Sequence, residues 1–148
     1  MHVVHTTPVA ASADAVFAFH ERPDAFALLQ PPWQKAEIIQ APTSLAIGTR
    51  VELRVRVFGM WQRIVAEHVA YEPGRMFADT LVEGPFATWL HRHVVTPVTA
   101  TTCTLTDDIT CTLPLGGLGR LGDPIVKRQL ARLFAYRHEV TRRECERG

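Results

Sequence analysis

Lysine is scarce in this sequence, and charge of neither sign dominates it. Only Lys35 and Lys127 are present, and the formal net charge of the chain is +1. This balance gives no electrostatic reason to expect a nucleic-acid partner. No stretch reaches the roughly 18 consecutive apolar residues of a transmembrane helix, and residues 1–5 lack the basic start and apolar run of a signal peptide. We therefore predict no nucleic-acid binding, no membrane span and no export.

Cysteine is also rare, with Cys103, Cys111 and Cys145 as the three examples. The first two lie eight residues apart on one predicted strand, which separates them by ~27 Å and excludes a disulfide between them. Free thiols and the absence of an export signal predict a cytoplasmic protein.

The chain has the size and composition of one globular domain, which we predict to span residues 1–148. Its 148 residues include 47% hydrophobic and 21% charged side chains. A chain of this length buries enough surface on folding to need no disulfide or metal staple.

Helix-capping and turn-forming residues, together with the alternation of apolar and polar residues, predict the order of helices and strands. A β-rich segment at residues 2–7 precedes Ser12, a helix N-cap ahead of residues 13–19, and a second short helix runs from Pro23 to Leu29. Turn signals then separate six strands, at residues 36–41, 48–57, 60–70, 75–82, 86–96 and 101–113. In the strand at 60–70 we place Ile64 and His68 inward, because Arg63 and Glu67 then pair with the charged face of the preceding strand.

The last two strands carry the polar residues of interest. Trp89, His91 and His93 share one face of their strand. The final strand exposes a row of threonines on one side, and its other side is apolar apart from Asp107. Asp79 shares the parity of Phe77 on the preceding strand, and it either faces inward or caps the end of that strand.

A long amphipathic helix closes the chain. Asp123 is predicted as its N-cap with Pro124 at the first helical position, and the glycine-rich run before it, residues 116–122, is predicted as a flexible joint. One apolar stripe recurs at helical spacing, with Phe134 beside it: Val126, Leu130, Leu133, Arg137 and Val140. Cys145 is expected in an exposed, frayed tail.

This β-α-α-β6-α order predicts an α+β fold, in which a curved antiparallel sheet of about seven strands wraps the C-terminal helix. Several strings, in this order, resemble the ligand-binding SRPBCC family of the START-like, polyketide cyclase-like superfamily from about residue 3 to residue 140. They are Val16-Phe17-Ala18-Phe19-His20, Leu29-Gln30-Pro31-Pro32-Trp33, Gly84-Pro85-Phe86, Trp89-x-His91-x-His93, Asp107, Leu113-Pro114-Leu115-Gly116 and Leu133-Phe134-x-Tyr136-Arg137. The resemblance implies a helix-grip fold with a cavity between sheet and helix. Cys111 departs from the family pattern, which usually has an aromatic residue there.

We expect the cavity to bind a small hydrophobic or amphipathic molecule, such as a lipid, an isoprenoid or an aromatic, polyketide-like compound. Val95 is expected in the sheet wall. The other expected ligand-binding residues are His68, Trp89, His91, His93, Leu105, Asp107, Ile109, Cys111, Val126, Leu130, Leu133, Phe134 and Arg137.

The polar members of this set admit several interpretations. Asp107 needs a partner when buried, and His91, His93 or Arg137 can supply it. The histidines either pack against such a partner or orient a ligand. As an alternative function, a His/Asp pair formed from His91, His93 and Asp107 serves a cyclase, dehydratase or hydrolase as general base and orienter. Metal binding needs a third ligand, for which only Asp107 and His68 are near, so we predict no metal and no cofactor. Whether the chain forms a homodimer stays open.

Overall fold

The computed structural model describes residues 1–57 and 59–147. Seven strands form one sheet: β1 (His2–Val9), β2 (Ala36–Gln40), β3 (Arg50–Val57), β4 (Met60–Glu72), β5 (Met76–Glu83), β6 (Thr88–Pro97) and β7 (Cys103–Thr112). Helices α1 (Ala13–Glu21) and α2 (Ala25–Leu28) follow β1, whereas α3 (Gly116–Gly119), a 3-10 turn (Arg120–Gly122) and α4 (Asp123–Cys145) follow β7. The predicted order is confirmed.

Every pairing in the sheet is antiparallel, in the spatial order β1-β7-β6-β5-β4-β3-β2. The first strand thus pairs with the last, and consecutive strands fill the rest of the sheet. α4 lies against the inner face, where Leu130 and Phe134 pack on Ile109 and Cys111 of β7. This is the α+β helix-grip fold. Of the helices described, none combines the length and the apolar character that crossing a bilayer requires.

The outer face of β3 and β4 is charged, as the alternation predicts. The guanidinium Nε of Arg63 donates to Glu52 at 2.7 Å, and that of Arg50 donates to Glu67 at 3.1 Å. These exposed pairs each contribute at most about 1 kcal/mol to stability. With these pairs on the outer face, Ile64 and the buried His68 lie on the inner face.

Local signals also position the helices. The Ser12 hydroxyl accepts a hydrogen bond from the backbone N–H of Ala15 at 3.1 Å, which confirms the predicted N-cap of α1. At α4 the prediction is wrong by one residue, since Gly122 is the N-cap and Asp123 the first helical residue. Cys145 is the last residue of α4 and is half-buried against α1 rather than exposed in a tail.

The glycine-rich run before α4 forms α3 and the 3-10 turn, and it folds back on Leu113 and Pro114 just after β7. Its role as a flexible joint stays a prediction. A Cβ on Gly119 would stand 2.0 Å from the carbonyl oxygen of Pro114, whereas a Cβ on Gly117 would meet nothing within 4 Å.

This difference predicts opposite outcomes for two alanine substitutions. Gly119→Ala should lower the free energy of unfolding by about 1–3 kcal/mol because a backbone atom must move. Gly117→Ala, in the same helical turn, should leave it unchanged or raise it by up to about 1 kcal/mol by restricting the unfolded chain. Urea unfolding of both variants measures the difference, and equal effects would contradict the close packing at Gly119.

Candidate functional site

Strand register gathers polar side chains into one row across the inner face of the sheet. His93 on β6 lies opposite Asp107 on β7, and His91 lies opposite Asp79 on β5. Asp79 in turn lies opposite His68 on β4. Antiparallel pairing thus turns residues far apart in the sequence into neighbours. The structure settles the orientation of Asp79, which points inward.

The Asp107 carboxylate lies at the β7 end of this row and contacts three imidazoles. Its Oδ1 is 2.6 Å from His91 Nε2 and 3.0 Å from His93 Nδ1, and its Oδ2 is 2.6 Å from His138 Nε2. His138, on α4, also contacts the Thr7 hydroxyl of β1 at 2.7 Å through Nδ1. Asp107 therefore joins helix and sheet through hydrogen bonds.

Asp79 forms a second centre beside it. Its Oδ2 is 3.0 Å from His93 Nε2 and 3.6 Å from His91 Nδ1, and its Oδ1 accepts a hydrogen bond from Trp89 Nε1 at 3.2 Å. His91 and His93 therefore bridge the two carboxylates, with their ring centroids 3.7 Å apart.

The buried charges bias the protonation of the cluster. Burial alone would raise the pKa of Asp107, but the charge of His91 and hydrogen bonds from His138, His91 and His93 hold that pKa well below its usual value. Burial lowers the pKa of His93, yet hydrogen bonds to Asp107 and Asp79 outweigh it and raise that pKa to about 9. Burial and the neighbouring His93 lower the pKa of His91. The cluster therefore favours a proton on His93 over one on His91.

A cavity of about 1040 Å³ opens beside this cluster. It lies over β3 to β6 because α4 covers β1 and β7. Its apolar walls include residues of the sheet, of α2 and of α4: Phe26, Leu29, Val51, Leu53, Val55, Ile64, Ala66, Phe77, Leu81, Phe86, Ile125, Val126, Leu130, Leu133 and Phe134. Its polar wall contains His20, His68, Asp79, His91, His93 and Arg137.

The expected site residues fall into two groups. Those that border the cavity are His68, Trp89, His91, His93, Val126, Leu130, Leu133, Phe134 and Arg137. A second group is buried but is not among the described residues that line the cavity: Val95, Leu105, Asp107, Ile109 and Cys111. The placement of α4 explains this correction, since it packs directly on β7 and leaves no space there. Asp107 lies behind the two histidines that it contacts.

Arg137 does not reach Asp107, contrary to the sequence-based option. Its Nε donates to the backbone carbonyl of Leu29 at 3.2 Å, and burial lowers its pKa. His138 takes its place, and sequence reasoning missed it because the stripe was drawn one residue off. The buried residues of α4 include Leu130, Phe134, His138 and Thr141, at spacings of 4, 4 and 3.

His68 borders the cavity and has unused hydrogen-bonding capacity. It is 5% exposed, and its buried Nδ1 has no partner among the residues described. Burial lowers the pKa of His68, which favours the neutral ring.

The structure is thus a helix-grip fold with a cavity between sheet and helix, and the family comparison agrees with this fold. The family model described as "Polyketide cyclase / dehydrase and lipid transport" matches residues 1–145, so the chain belongs to this family. Among curated proteins, none is significantly similar in sequence to the chain.

Three solved structures illustrate the shared fold. A START superfamily protein from Mycobacterium smegmatis has a TM-score of 0.68 at 17% identity, covering 98% of this chain and 97% of its own. Norcoclaurine synthase from Thalictrum flavum has a TM-score of 0.73 at 16% identity, with coverage of 100% and 88%. The Zhui aromatase/cyclase from Streptomyces sp. R1128 has a TM-score of 0.64 at 24% identity, with coverage of 97% and 94%. At these identities the likeness concerns the fold alone.

Proposed function

We propose that the protein binds a small amphipathic molecule, of the lipid, isoprenoid or aromatic polyketide-like kind, in the cavity between α4 and the sheet. The observation that carries this proposal is the cavity of about 1040 Å³ with apolar walls and one polar wall. Its volume lies just above the ~300–1,000 Å³ range of ligand sites. The family description, which includes lipid transport and polyketide cyclases, agrees with this class of ligand.

The polar wall favours a ligand that carries a hydroxyl group. His68 Nδ1 is a buried ring nitrogen without a partner among the residues described, and leaving such an atom unsatisfied costs about 1–3 kcal/mol. A ligand O–H pointing at His68 would remove that cost. The apolar remainder of the ligand would then lie along the strands towards Val51, Leu53 and Ile64, which border the same space.

A bulky side chain inside the cavity tests where the ligand binds. Ile64→Trp should weaken binding of the fluorescent probe 2-naphthol at least about tenfold, because the indole occupies the probe's space. Val69→Trp is the matched control on the same strand, since Val69 is 40% exposed, and it should leave the affinity unchanged. Equal affinities of both variants and the wild type would contradict a cavity site.

The hydroxyl preference has its own test, a comparison of 2-naphthol with naphthalene. The wild type should prefer 2-naphthol, and His68→Phe should remove the preference while it retains naphthalene binding. A preference of the same size in His68→Phe would contradict the role given to Nδ1.

Catalysis is the second candidate, and the contact of His93 with Asp79 at the cavity wall favours it. A cyclase, dehydratase or hydrolase needs a proton donor or acceptor beside the bound substrate, and this pair supplies one. The test is a panel of β-keto thioesters and hydroxy esters with product detection by mass spectrometry. Catalysis is supported if the wild type forms a product and His93→Gln forms none while it keeps its affinity for 2-naphthol. Absence of product from the wild type contradicts it.

The cytoplasm is part of the proposal. All three cysteines are free, and Cys103 and Cys111 are buried, which suits a reducing compartment. Fractionation of the native host should recover the protein with cytoplasmic markers.

A further inference from the structure

Three side chains at the cavity wall have the composition of a metal site. Asp79, His91 and His93 each offer one ligand atom, and these atoms all lie within 4.8 Å of one another. His-x-His on one strand supplies two neighbouring nitrogens, and the register with β5 adds the carboxylate opposite them. The third ligand that the sequence pattern lacked is thus Asp79.

The spacing of these atoms suits a tetrahedral ion. Around Zn²⁺ with bonds of about 2.0–2.1 Å, neighbouring ligand atoms stand about 3.3 Å apart. Here the Asp79 Oδ2 is 3.0 Å from His93 Nε2 and 3.6 Å from His91 Nδ1. The remaining pair, His91 Nδ1 and His93 Nε2, lies within 4.8 Å, so side-chain rotations would bring all three atoms to the spacing of one ion.

Asp107 supplies the supporting contacts that metal-binding histidines usually have. The nitrogens of His91 and His93 that point away from Asp79 both contact Asp107 Oδ1, at 2.6 Å and 3.0 Å. Such a carboxylate fixes the tautomer, so that the opposite nitrogen presents its lone pair to the ion. His138, on the other oxygen of Asp107 at 2.6 Å, holds that carboxylate in place.

Charge balance points the same way. Asp79 and Asp107 bring two negative charges into a region where His91 is 3% exposed and His93 14%. These two carboxylates would offset the charge of one divalent cation bound by neutral imidazoles. Imidazole ligands favour Zn²⁺, Cu²⁺, Fe²⁺ or Ni²⁺ over Mg²⁺ and Ca²⁺, which prefer all-oxygen sites.

We propose that Asp79, His91 and His93 bind one divalent transition-metal ion, of which Zn²⁺ is the representative, with its fourth position open to the cavity. An ion there would polarise a carbonyl or hydroxyl oxygen of a bound molecule. The proposal uses the cavity described above, but it does not need the organic ligand. Metal binding is therefore measured without ligand, and its failure would leave the hydroxyl-binding proposal intact.

The first measurement uses the wild-type chain after treatment with a chelator. Equilibrium dialysis against Zn²⁺ should give one ion per chain, and Co²⁺ should give the intense visible absorption of four-coordinate cobalt, lost on addition of Zn²⁺. Absence of a stoichiometric ion, or a weak six-coordinate cobalt spectrum, would overturn the proposal. Because neither result depends on a variant, misfolding cannot confuse the outcome.

Variants then locate the ion. Asp79→Asn and His93→Gln should each weaken Zn²⁺ binding at least about tenfold, and Asp107→Asn about 10–100-fold through the lost supporting contact. His2→Gln is the control, since His2 is an exposed histidine near the amino terminus. If His2→Gln removes Zn²⁺ binding while folded Asp79→Asn or His93→Gln retains it, the ion is an adventitious surface ion. That result would overturn the assignment.

Discussion

Asp107→Asn is expected to lower the free energy of unfolding of the metal-free protein by about 3–5 kcal/mol, the cost of breaking a buried ion pair. The carboxylate contacts His91, His93 and His138 and is 4% exposed. Asparagine has nearly the same volume, so packing is preserved. Its amide nitrogen, however, brings donors to a place where imidazole N–H groups need acceptors.

The neighbouring residue provides a matched control. Asp108 lies on the same strand with its side chain outward, 35% exposed, and contacts His2 at 2.7 Å. Asp108→Asn should change the free energy of unfolding by no more than about 0.5 kcal/mol. Urea unfolding with a chelator present measures both variants. If the two substitutions cost the same, Asp107 is not the centre of the cluster.

Phe134→Ala is expected to cost about 3–5 kcal/mol, the usual range for removing a buried phenylalanine. Phe134 is 1% exposed, packs with Ile109 and Cys111, and meets the ring of His91 edge-on at a centroid distance of 4.9 Å. It also borders the cavity. The variant should therefore lose stability and hold α4 less firmly against the histidines.

Ile125→Ala is the control on the same helix, because Ile125 is 62% exposed. It should change the free energy of unfolding by no more than about 0.5 kcal/mol. Thermal and urea unfolding of the two variants measure the contrast. A cost below about 1 kcal/mol for Phe134→Ala would contradict the packing of α4 on β7.

Period-2 alternation predicted the sheet well because one face of each strand is buried and the other is solvated. The pattern of β7 placed Asp107 inward, and the alternation of β3 oriented β4 through charge pairing. The buried face of α4 was harder to predict, because an amphipathic helix has neighbouring stripes that differ by one residue. Arg137 and His138 are adjacent, and only the position of α4 over β7 decides that His138 meets Asp107.

Contacts between strands were the other feature that could not be predicted from the sequence. The sequence left the orientation of Asp79 open, since it depends on the register between β5 and β6 and on the two register shifts between β4 and β5. The expected cavity wall on β7 was likewise misplaced, because the sequence does not show which strands α4 covers. Leu105 and Ile109 are core residues for that reason.

The most direct test of the central claim is a crystal structure of the protein with 2-naphthol bound. The rings should lie between α4 and strands β3 to β6, with the hydroxyl oxygen about 3 Å from His68 Nδ1. In the same crystals, Ile64→Trp should show the indole in that space and no probe. A probe bound only on the outer face, with the space between α4 and the sheet closed, would contradict the account.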